Sequence, residues 1–463
     1  MPSPKEWFDE IGSPLMEAVA AYMDEVAPTT DPDTLPLSDE QQFAYNTALT
    51  GGNLLITGLG GAGKSFTLNR IIRDLTYPVA STASTGIAAI QINGSTIHSY
   101  LGTRIAKHPR DIQHLFSDCD DDNHSKTCER RTQYLSGEPT ILVDEVSMLS
   151  GDYIEMIDTL LRHQFLSDTP FGGKQMLFSG DFLQLPPVEK GTIPDYKFAF
   201  DSPAWQEADI QVVELTKSFR QSDQLLVDAL NSIRYGTHEL DLLEIFNPCV
   251  GRDLGPDPTH LMGTNSKADQ LNVRRLQQHP GDHINHQAHQ KDDASPRGRA
   301  CANSLRRNVL APENLTLKPG VPVLLLKNDY NQGFRNGSRG VVTDDGLDDP
   351  NSVFVQLEDT EQVVEVTRHT WEQTGSHGRK VAEYTQFPMR LGWAITIHKS
   401  QGMSLDRVNV NLENIFAPGQ LYVALSRAVS LEGLALSQQI NPSMLKVAPE
   451  AVQFYRDHLP KKG

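Results

Sequence analysis

The chain of 463 residues is 38% hydrophobic and 22% charged, an ordinary balance for a soluble globular protein, and its length calls for two to four domains. No apolar run approaches the roughly eighteen residues of a membrane helix, and the acidic N-terminus carries neither a secretory nor a mitochondrial presequence, so a cytoplasmic or nuclear location is expected. The net charge of −18 argues at first against a nucleic-acid partner, yet residues 1–40 hold ten acids against one lysine, so half the excess sits in one segment and a locally positive groove is not excluded.

Residues 1–36 are acidic and Pro-rich toward their end, with a helix expected over Pro14–Val26; they read as a helix or tether followed by a linker. Ser38-Asp39-Glu40-Gln41 has the form of a helix N-cap with acids in the first turn. The Gln41 amide is of a type that reads an adenine edge, though one glutamine is weak evidence alone. Asn53–Thr57 is a short apolar run fit for a buried strand. It feeds Gly58-Leu59-Gly60-Gly61-Ala62-Gly63-Lys64-Ser65, which fits G-x-x-x-x-G-K-[ST]. Phe66, Leu68, Ile71, Ile72 and Leu75 then recur at helical spacing. Strand, Gly-rich loop and helix start form a phosphate cradle: backbone N–H groups face the phosphates, Lys64 reaches the β and γ positions, and the Ser65 hydroxyl holds Mg²⁺. A Gly-rich turn that binds nothing is disfavoured by that context.

Pro78–Thr82 is a second strand, leading into Ala83–Ala89 and then Gly94–Ser99. Small hydroxylic residues at strand ends suit contact with a phosphodiester backbone; a helix-capping turn accounts for them equally well. Residues 103–137 are polar, without period, and read as a small insertion or surface element. They contain Cys119, His124 and Cys128, whose irregular spacing makes a poor zinc site. The four cysteines (Cys119, Cys128, Cys249, Cys301) lie far apart, which favours free thiols.

Thr140–Val143 is an apolar strand ending in Asp144-Glu145, the pair a magnesium site opposite a phosphate loop requires. Asp144 would hold Mg²⁺ and Glu145 would orient and deprotonate the attacking water. Gln175–Ser179 is a further strand and runs into Gly180–Val188. Strands alternating with helices, with ligand loops at their C-terminal ends, predict an α/β fold with an open parallel sheet. Leu215–Gln221 follows, then an amphipathic helix through Leu226, Leu230 and Ile233. Residues 278–312 read as a long loop or irregular connector. From Leu315 to Val366, short runs at Val321–Leu326, Gly340–Thr343, Ser352–Leu357 and Val363–Val366 predict a small β-barrel or antiparallel sheet. Trp393–Gly402 and Leu421–Arg427 return to apolar runs that end in polar groups.

In this order the blocks resemble a superfamily 1B DNA helicase of the petite-integration-frequency (PIF) family, related to the RecD and Dda helicases, over about residues 37–435. The motifs are the phosphate loop; Thr82–Gly86 with Thr96–Ser99; Val143–Met148; Pro170–Gln175 leading to Gly180–Val188; Ser218–Gln221; Ile397–Gly402; and Tyr422–Arg427. The Phe-Gly-Gly run before Gly-Asp-Phe-x-Gln-Leu-Pro-Pro-Val is specific to the family within the superfamily.

The resemblance implies two RecA-like parallel-sheet P-loop domains. Residues 37–215 would form the first, with an inserted strand-separating wedge over 103–137. Residues 216–312 and 391–463 would form the second, with an SH3-like barrel at 313–390. ATP and Mg²⁺ would be the cofactors, held by Gln41 at the adenine, by Gly58, Gly60, Gly61, Ala62, Gly63, Lys64, Ser65 and Phe66 along the loop, and by Ser65 and Asp144 at the metal. Lys64, Asp144, Glu145, the γ-phosphate sensor Gln184 and the arginine fingers Arg220 and Arg427, supplied by the second domain, would carry catalysis. Thr85, Thr96 and His98 on the first domain, with Thr264, Asn265, His398 and Lys399 on the second and Asn336 in the barrel turn, would contact single-stranded DNA. The implied activity is ATP-dependent 5′→3′ unwinding by a monomer in replication, repair or recombination, acting on single strands and forks, with G-quadruplex DNA a further candidate. The acidic N-terminus would meet replication or repair proteins. The competing reading is an ATP-switched nucleic-acid-binding factor, or DNA-stimulated translocase, with little unwinding. The chain departs from the family in its short acidic N-terminus and in Cys119-Asp120-Asp121-Asp122 within the wedge.

Overall fold

Six short segments, most of them apolar, pair into the first sheet. The computed structural model describes residues 35–103, 112, 135–187, 194–221, 223–237, 241–329, 331–345, 347–374, 380–413 and 415–459. The expected Pro14–Val26 helix, most of the 103–137 insertion with Cys119, His124 and Cys128, and Val188 lie outside the described residues. Strands β1 (Leu54–Gly58), β2 (Val79–Ala83), β3 (Ser95–Thr96), β4 (Thr140–Asp144), β5 (Gln175–Ser179) and β6 (Gln211–Leu215) run parallel in the order β3-β2-β4-β5-β1-β6. β1, β4 and β5 are buried along their whole length, as strands covered on both faces must be.

Alternate residues divide between two cores. Leu54, Ile56, Leu142 and Leu177 face α1 (Asp39–Leu49) and α2 (Lys64–Asp74), whereas Leu55, Ile141, Val143, Met176 and Phe178 face the other side. Two short helices, α3 (Gly86–Gln91) and α4 (Ile97–Leu101), follow β2 and β3. The second core is built on α5 (Gly151–Phe165), which starts where the Ser150 hydroxyl accepts from the Tyr153 N–H and ends at Leu166 in the left-handed region. Its Ile154, Ile157, Leu160 and Leu161 are fully buried, each worth about 1.5–3 kcal/mol of burial.

The family-specific Pro170–Gly173 run closes a tight turn against α5. Phe171 is fully buried at a positive φ of 54°, and its N–H donates to Asp158 Oδ1 at 2.6 Å. A β-carbon on Gly172 would lie 2.6 Å from the Leu161 carbonyl oxygen. The run therefore serves packing: it lets β5 enter the sheet directly off α5.

After α6 (Pro203–Glu207) and β6, helix α7 (Gln224–Tyr235) buries Leu226, Leu230 and Ile233 on one face, and α8 (Leu242–Phe246) follows. The second parallel sheet begins with β7 (Thr259–Met262), which leads into α9 (Asn265–Gln278). Residues 278–312 are more regular than the sequence reading allowed. They contain β8 (Ile284–Gln287), β9 (His289–Asp292) and α10 (Pro296–Asn308). The signal was Ser295-Pro296, an N-cap followed by proline at the first helical position. Cys301, Ala302 and Leu305 then give an apolar stripe hidden among arginines.

The insertion starts with β10 (Asn314–Leu317), paired antiparallel with β8. It continues through β11 (Pro322–Leu325), β12 (Arg339–Val342), β13 (Ser352–Leu357), β14 (Val363–Thr367), β15 (His369–Thr374), β16 (Lys380–Gln386) and β17 (Met389–Leu391). One antiparallel sheet has the order β14-β13-β12-β11-β17 around a core of Leu315, Val323, Leu325, Val353, Val355 and Met389. A second, β15-β16-β9, packs on α10. The chain then completes the second parallel sheet with β18 (Ala394–Thr396), β19 (Val408–Val410) and β20 (Leu434–Leu436), in the order β18-β7-β19-β20. Helix α11 (Gln420–Leu425) lies between the last two strands.

The final helix, α12 (Pro449–His458), falls within the range expected for the second domain but packs its aromatic face into the first. Phe454 stacks on Phe200 at 4.4 Å between centroids, and the Tyr455 hydroxyl lies 2.7 Å from Thr57 Oγ1 and accepts from the Phe182 N–H at 3.0 Å. Among the described residues no helix is long and apolar enough to cross a membrane.

Candidate nucleotide cleft and nucleic-acid interface

Parallel sheets gather function at the C-terminal ends of their strands, and this chain does so twice. At the end of β1 the backbone turns through Gly58, Gly61 and Gly63, all at positive φ. Space allows nothing larger: a β-carbon on Gly58 would strike the Leu215 carbonyl, one on Gly61 would strike Arg220 Cβ, and one on Gly63 would lie 2.7 Å from Gln41 Nε2. The Gly60 N–H donates to the Tyr422 hydroxyl at 3.0 Å, tying the loop to α11. Lys64 opens α2 and points its ammonium at the carbonyls of Gly58 (2.8 Å) and Leu59 (3.0 Å).

The loop forms one wall of a cleft of about 290 Å³. Lys64, Ser65, Phe66, Asp144, Glu145, Gln184, Phe219, Arg220 and Arg427 all line it. A larger cavity of about 590 Å³ lies between α6 and α12, lined by Phe200, Trp205 and Phe454 with Asp201, Asp209 and Asp457. It is lined by no lysine or arginine and no Gly-rich cradle, so the chemistry is assigned to the smaller one.

Asp144 and Glu145 leave the end of β4 with Glu145 at a φ of 52°, held there by the Ser84 hydroxyl donating to its carbonyl at 2.7 Å. Burial pushes both carboxyls up. For Asp144 a bond from Ser179 opposes the rise, and for Glu145 the neighbouring Asp144 charge reinforces it to about 7. Burial likewise lowers Lys64. Arg220 is brought down to about 9 by burial and by the Arg427 charge, and burial lowers Arg427. Two acids and three cations thus face one small space with their charges poorly solvated. That arrangement fits a ligand bringing several negative oxygens and a divalent cation.

Both arginines close over the loop: a β-carbon on Gly60 would lie 3.1 Å from Arg220 Nη1 and from Arg427 Nη2. Arg427 follows α11, and its guanidinium bonds the carbonyls of Val423 and Ser400 and the Ser426 hydroxyl. Arg220 hangs from the segment leaving β6 of the first sheet, while its head group donates to carbonyls of Ser426 (3.2 Å) and Gly402 (3.3 Å) on the second. Among the described residues its Nε is buried without a partner.

The sequence reading passed over several residues. Phe219, 58% exposed, presents an aromatic face to the cleft beside Gly63; its position next to Arg220 was the only signal. Gln91, Ser179, Gln401 and Ser404 also line the cleft. Beneath Gln184 lies a buried network. Asp181 accepts the Leu183 N–H at 3.1 Å and takes a bidentate pair from Arg234 at 2.9 and 3.0 Å. Arg234 also reaches Glu214 at 2.6 Å. Burial alone would lower the Arg234 pKa, but Asp181, Tyr235 and Glu214 lift it well above its usual value.

The residues expected to touch DNA fall into two groups and one outlier. Ala83 pairs with Thr96 across β2 and β3, so Thr85, Thr96 and His98 emerge together. Thr396 pairs with Met262 across β18 and β7, which brings Thr264, Asn265, His398 and Lys399 together on the second sheet. Thr85, Thr96 and Thr264 each cap a helix, accepting from the N–H of Ala88, Ser99 and Lys267. Each hydroxyl still has its hydrogen to donate. His98 stacks on Tyr153 at 4.2 Å, and burial holds it down to about 4, so it is neutral near pH 7. Asn336 stands apart. Its turn packs against Ser404, with a β-carbon on Gly337 2.6 Å from the Ser404 carbonyl oxygen.

Comparison with known proteins follows the same lines. A family model described as PIF1-like helicase matches residues 36–234, and one described as DNA helicase Pif1, 2B domain, matches residues 301–344. The ATP-dependent DNA helicase PIF1 of Xenopus laevis is 35% identical over 92% of this chain, which spans 65% of that protein's length. The ATP-dependent DNA helicase Pif1 of Bdellovibrio bacteriovorus is 31% identical, with 91% of this chain and 92% of that protein covered. Among solved structures, Bacteroides sp Pif1 in complex with ADP-AlF4 superposes with a TM-score of 0.78 at 29% identity, covering 92% of this chain and 97% of the other. The Bacteroides Pif1 helicase with ADP-AlF3 and ssDNA gives 0.61 at 29% identity over the same shares.

Proposed function

Because this chain belongs to the PIF1-like helicase family, we propose that it is an ATP-dependent DNA helicase that moves 5′→3′ along a single strand and opens duplex ahead of it. One observation carries the reading: Lys64, the Asp144–Glu145 pair and Gln184 meet Arg220 and Arg427 across one cleft whose walls come from both parallel sheets. The glycine loop admits no side chain, which fits a nucleotide's phosphates lying against its backbone.

Lys64 gives up its two loop carbonyls to reach the β and γ oxygens. Ser65 and Asp144 would hold Mg²⁺, which when bound neutralises charge between those phosphates. Glu145, already short of solvation, takes the proton of the attacking water. Arg220 and Arg427 meet the charge that develops on the transferring group. Gln184 senses the γ-phosphate from a turn that Arg234 anchors. Because Arg427 and the Arg220 partners sit on the second sheet, binding draws the two sheets together and release lets them part. The two hydroxyl-bearing groups, one per sheet, then grip and release the DNA backbone in alternation.

The test is unwinding of 5′-tailed against 3′-tailed duplexes, with ATP hydrolysis measured with and without single-stranded DNA. Faster opening of the 3′-tailed substrate overturns the polarity. Hydrolysis indifferent to DNA, without unwinding, favours the ATP-switched binding factor instead.

A further inference from the structure

We propose that Arg390 is a phosphate-binding residue of the single-strand groove, clamping one phosphodiester together with Lys399 where the β-insertion meets the second parallel sheet. The inference rests on the DNA reading above and adds a residue that no motif of the chain includes.

The placement follows from strand alternation. β17 is the edge strand of the insertion sheet, and Arg390 is the cross-strand partner of Leu324 on β11. Their neighbours Val323, Leu325 and Met389 fill the core of the insertion, whereas Leu324 belongs to the core shared with Leu261 and Ile395 of the second parallel sheet. Arg390 shares the Leu324 face, so it points away from the insertion and toward that sheet. Four residues on, the chain enters β18, whose end carries His398 and Lys399 beside Thr264 and Asn265.

Arginine in such a place is ordinarily paired. Here, among the described residues, the Nε of Arg390 is buried and finds no hydrogen-bond acceptor, and no carboxylate forms an ion pair with its guanidinium. Lys399 is half-buried and has no carboxylate partner among them either. Burial lowers both groups, and the Arg390 charge depresses Lys399 further, so the two cations stand near each other. The acid that both feel is Asp269, exposed near the start of α9. Two desolvated cations facing a single exposed acid are short of an anion. ATP does not supply it, because neither residue lines the nucleotide cleft. A phosphodiester does: it carries one charge and two acceptor oxygens, matching an arginine fork and an ammonium. Its neighbours, Thr264, Asn265 and His398, are the groups already placed along the strand's path.

The experiment is fluorescence anisotropy of an oligo-dT strand with the full chain over a range of salt concentrations. Each phosphate contact on a single strand contributes about −0.7 to the slope of log K against log[salt]. Arg390→Gln should bind more weakly and show a slope shallower by about that amount, while Arg390→Lys should restore most of it. Asp269→Asn, at an exposed position, should tighten binding by a similar factor across the salt range and leave the slope unchanged. A melting curve for each variant shows that the fold persists. An unaltered slope in Arg390→Gln, or no tightening in Asp269→Asn, overturns the clamp while leaving the DNA reading in place. Absence of salt-dependent binding by the unsubstituted chain overturns the DNA reading and the clamp together.

Discussion

Replacing Arg234 with methionine removes the cation beneath Gln184, the proposed γ-phosphate sensor, while nearly keeping its volume. Arg234 is 1% exposed and Asp181 is fully buried, so the carboxylate would lose two charge-assisted bonds, at 2.9 and 3.0 Å, with no water to replace them. Breaking a buried pair by removing one partner costs about 3–5 kcal/mol. For a folding unit of domain size that lowers the melting temperature by on the order of 10 °C. Function should suffer separately. Asp181 caps the turn at Leu183 that presents Gln184, so the sensor loses its register. A misplacement of about 1 Å can cost about 10²-fold in rate, and that loss should appear in kcat with KM for ATP nearly unchanged. The assay pairs a thermal melt with DNA-stimulated hydrolysis well below the melting point. The double variant Arg234→Met/Asp181→Leu separates the two effects: an apolar replacement of this pair, with Glu214 keeping its bond from Tyr235, should regain part of the stability but none of the turnover. A melting temperature within about 2 °C of the original, or a double variant that regains both stability and turnover, would refute the reasoning.

Lys64→Ala should abolish hydrolysis and leave single-strand binding largely intact, because loop and groove residues are separate sets; an equal collapse of binding in an oligonucleotide titration would show that they are not. Arg427→Ala should retain ATP binding with turnover down about 10³-fold or more, and near-normal turnover would remove its role. With Glu145 lifted to about 7, its base form is lost on acidification, so the hydrolysis rate should fall toward tenfold per unit below that value and stay flat above it. The linked stability runs the opposite way. The folded pKa lies above the ordinary 4.5, so the nucleotide-free protein loses stability as pH rises through about 7. Glu145→Gln should therefore melt higher than the unsubstituted chain at pH 8 and no higher near pH 4; equal melting temperatures at both would contradict the burial argument.

The phosphate loop, the acidic pair after β4 and the insertion strands were legible because each obeys a local rule: glycine at positive φ, a buried run ending in charge, alternation between turns. Four of the eight insertion strands were placed to within about a residue at each end on that basis. Helix α10 was missed because its apolar stripe is three residues wide and set among arginines, and its burial comes from β15 and β16, which lie far off in sequence. Arg234, Tyr455 and Arg390 belong to no motif. Their meaning depends on which distant strand end they meet, and no local pattern encodes that. The Phe-Gly-Gly run was read as a family mark; the structure adds that its content is a left-handed turn locked by Asp158.

The final helix changes how the second sheet is attached. The chain quits the first core at Gly236, just after Arg234, and comes back at Val447, just before α12. Those two points touch, since a β-carbon on Gly236 would lie 2.8 Å from a Val447 methyl. The second sheet and its β-insertion are therefore one long excursion that begins and ends at a single seam, like a page bound along a short spine. In the proposed cycle, strain gathered in that excursion, whether from DNA or from arginines drawn onto phosphate, would reach the first core through this seam as well as through the cleft and the contact of α3 with α10. If the sheets open and close as proposed, Gly236 and Val447 would stand where the swing has least travel and most leverage.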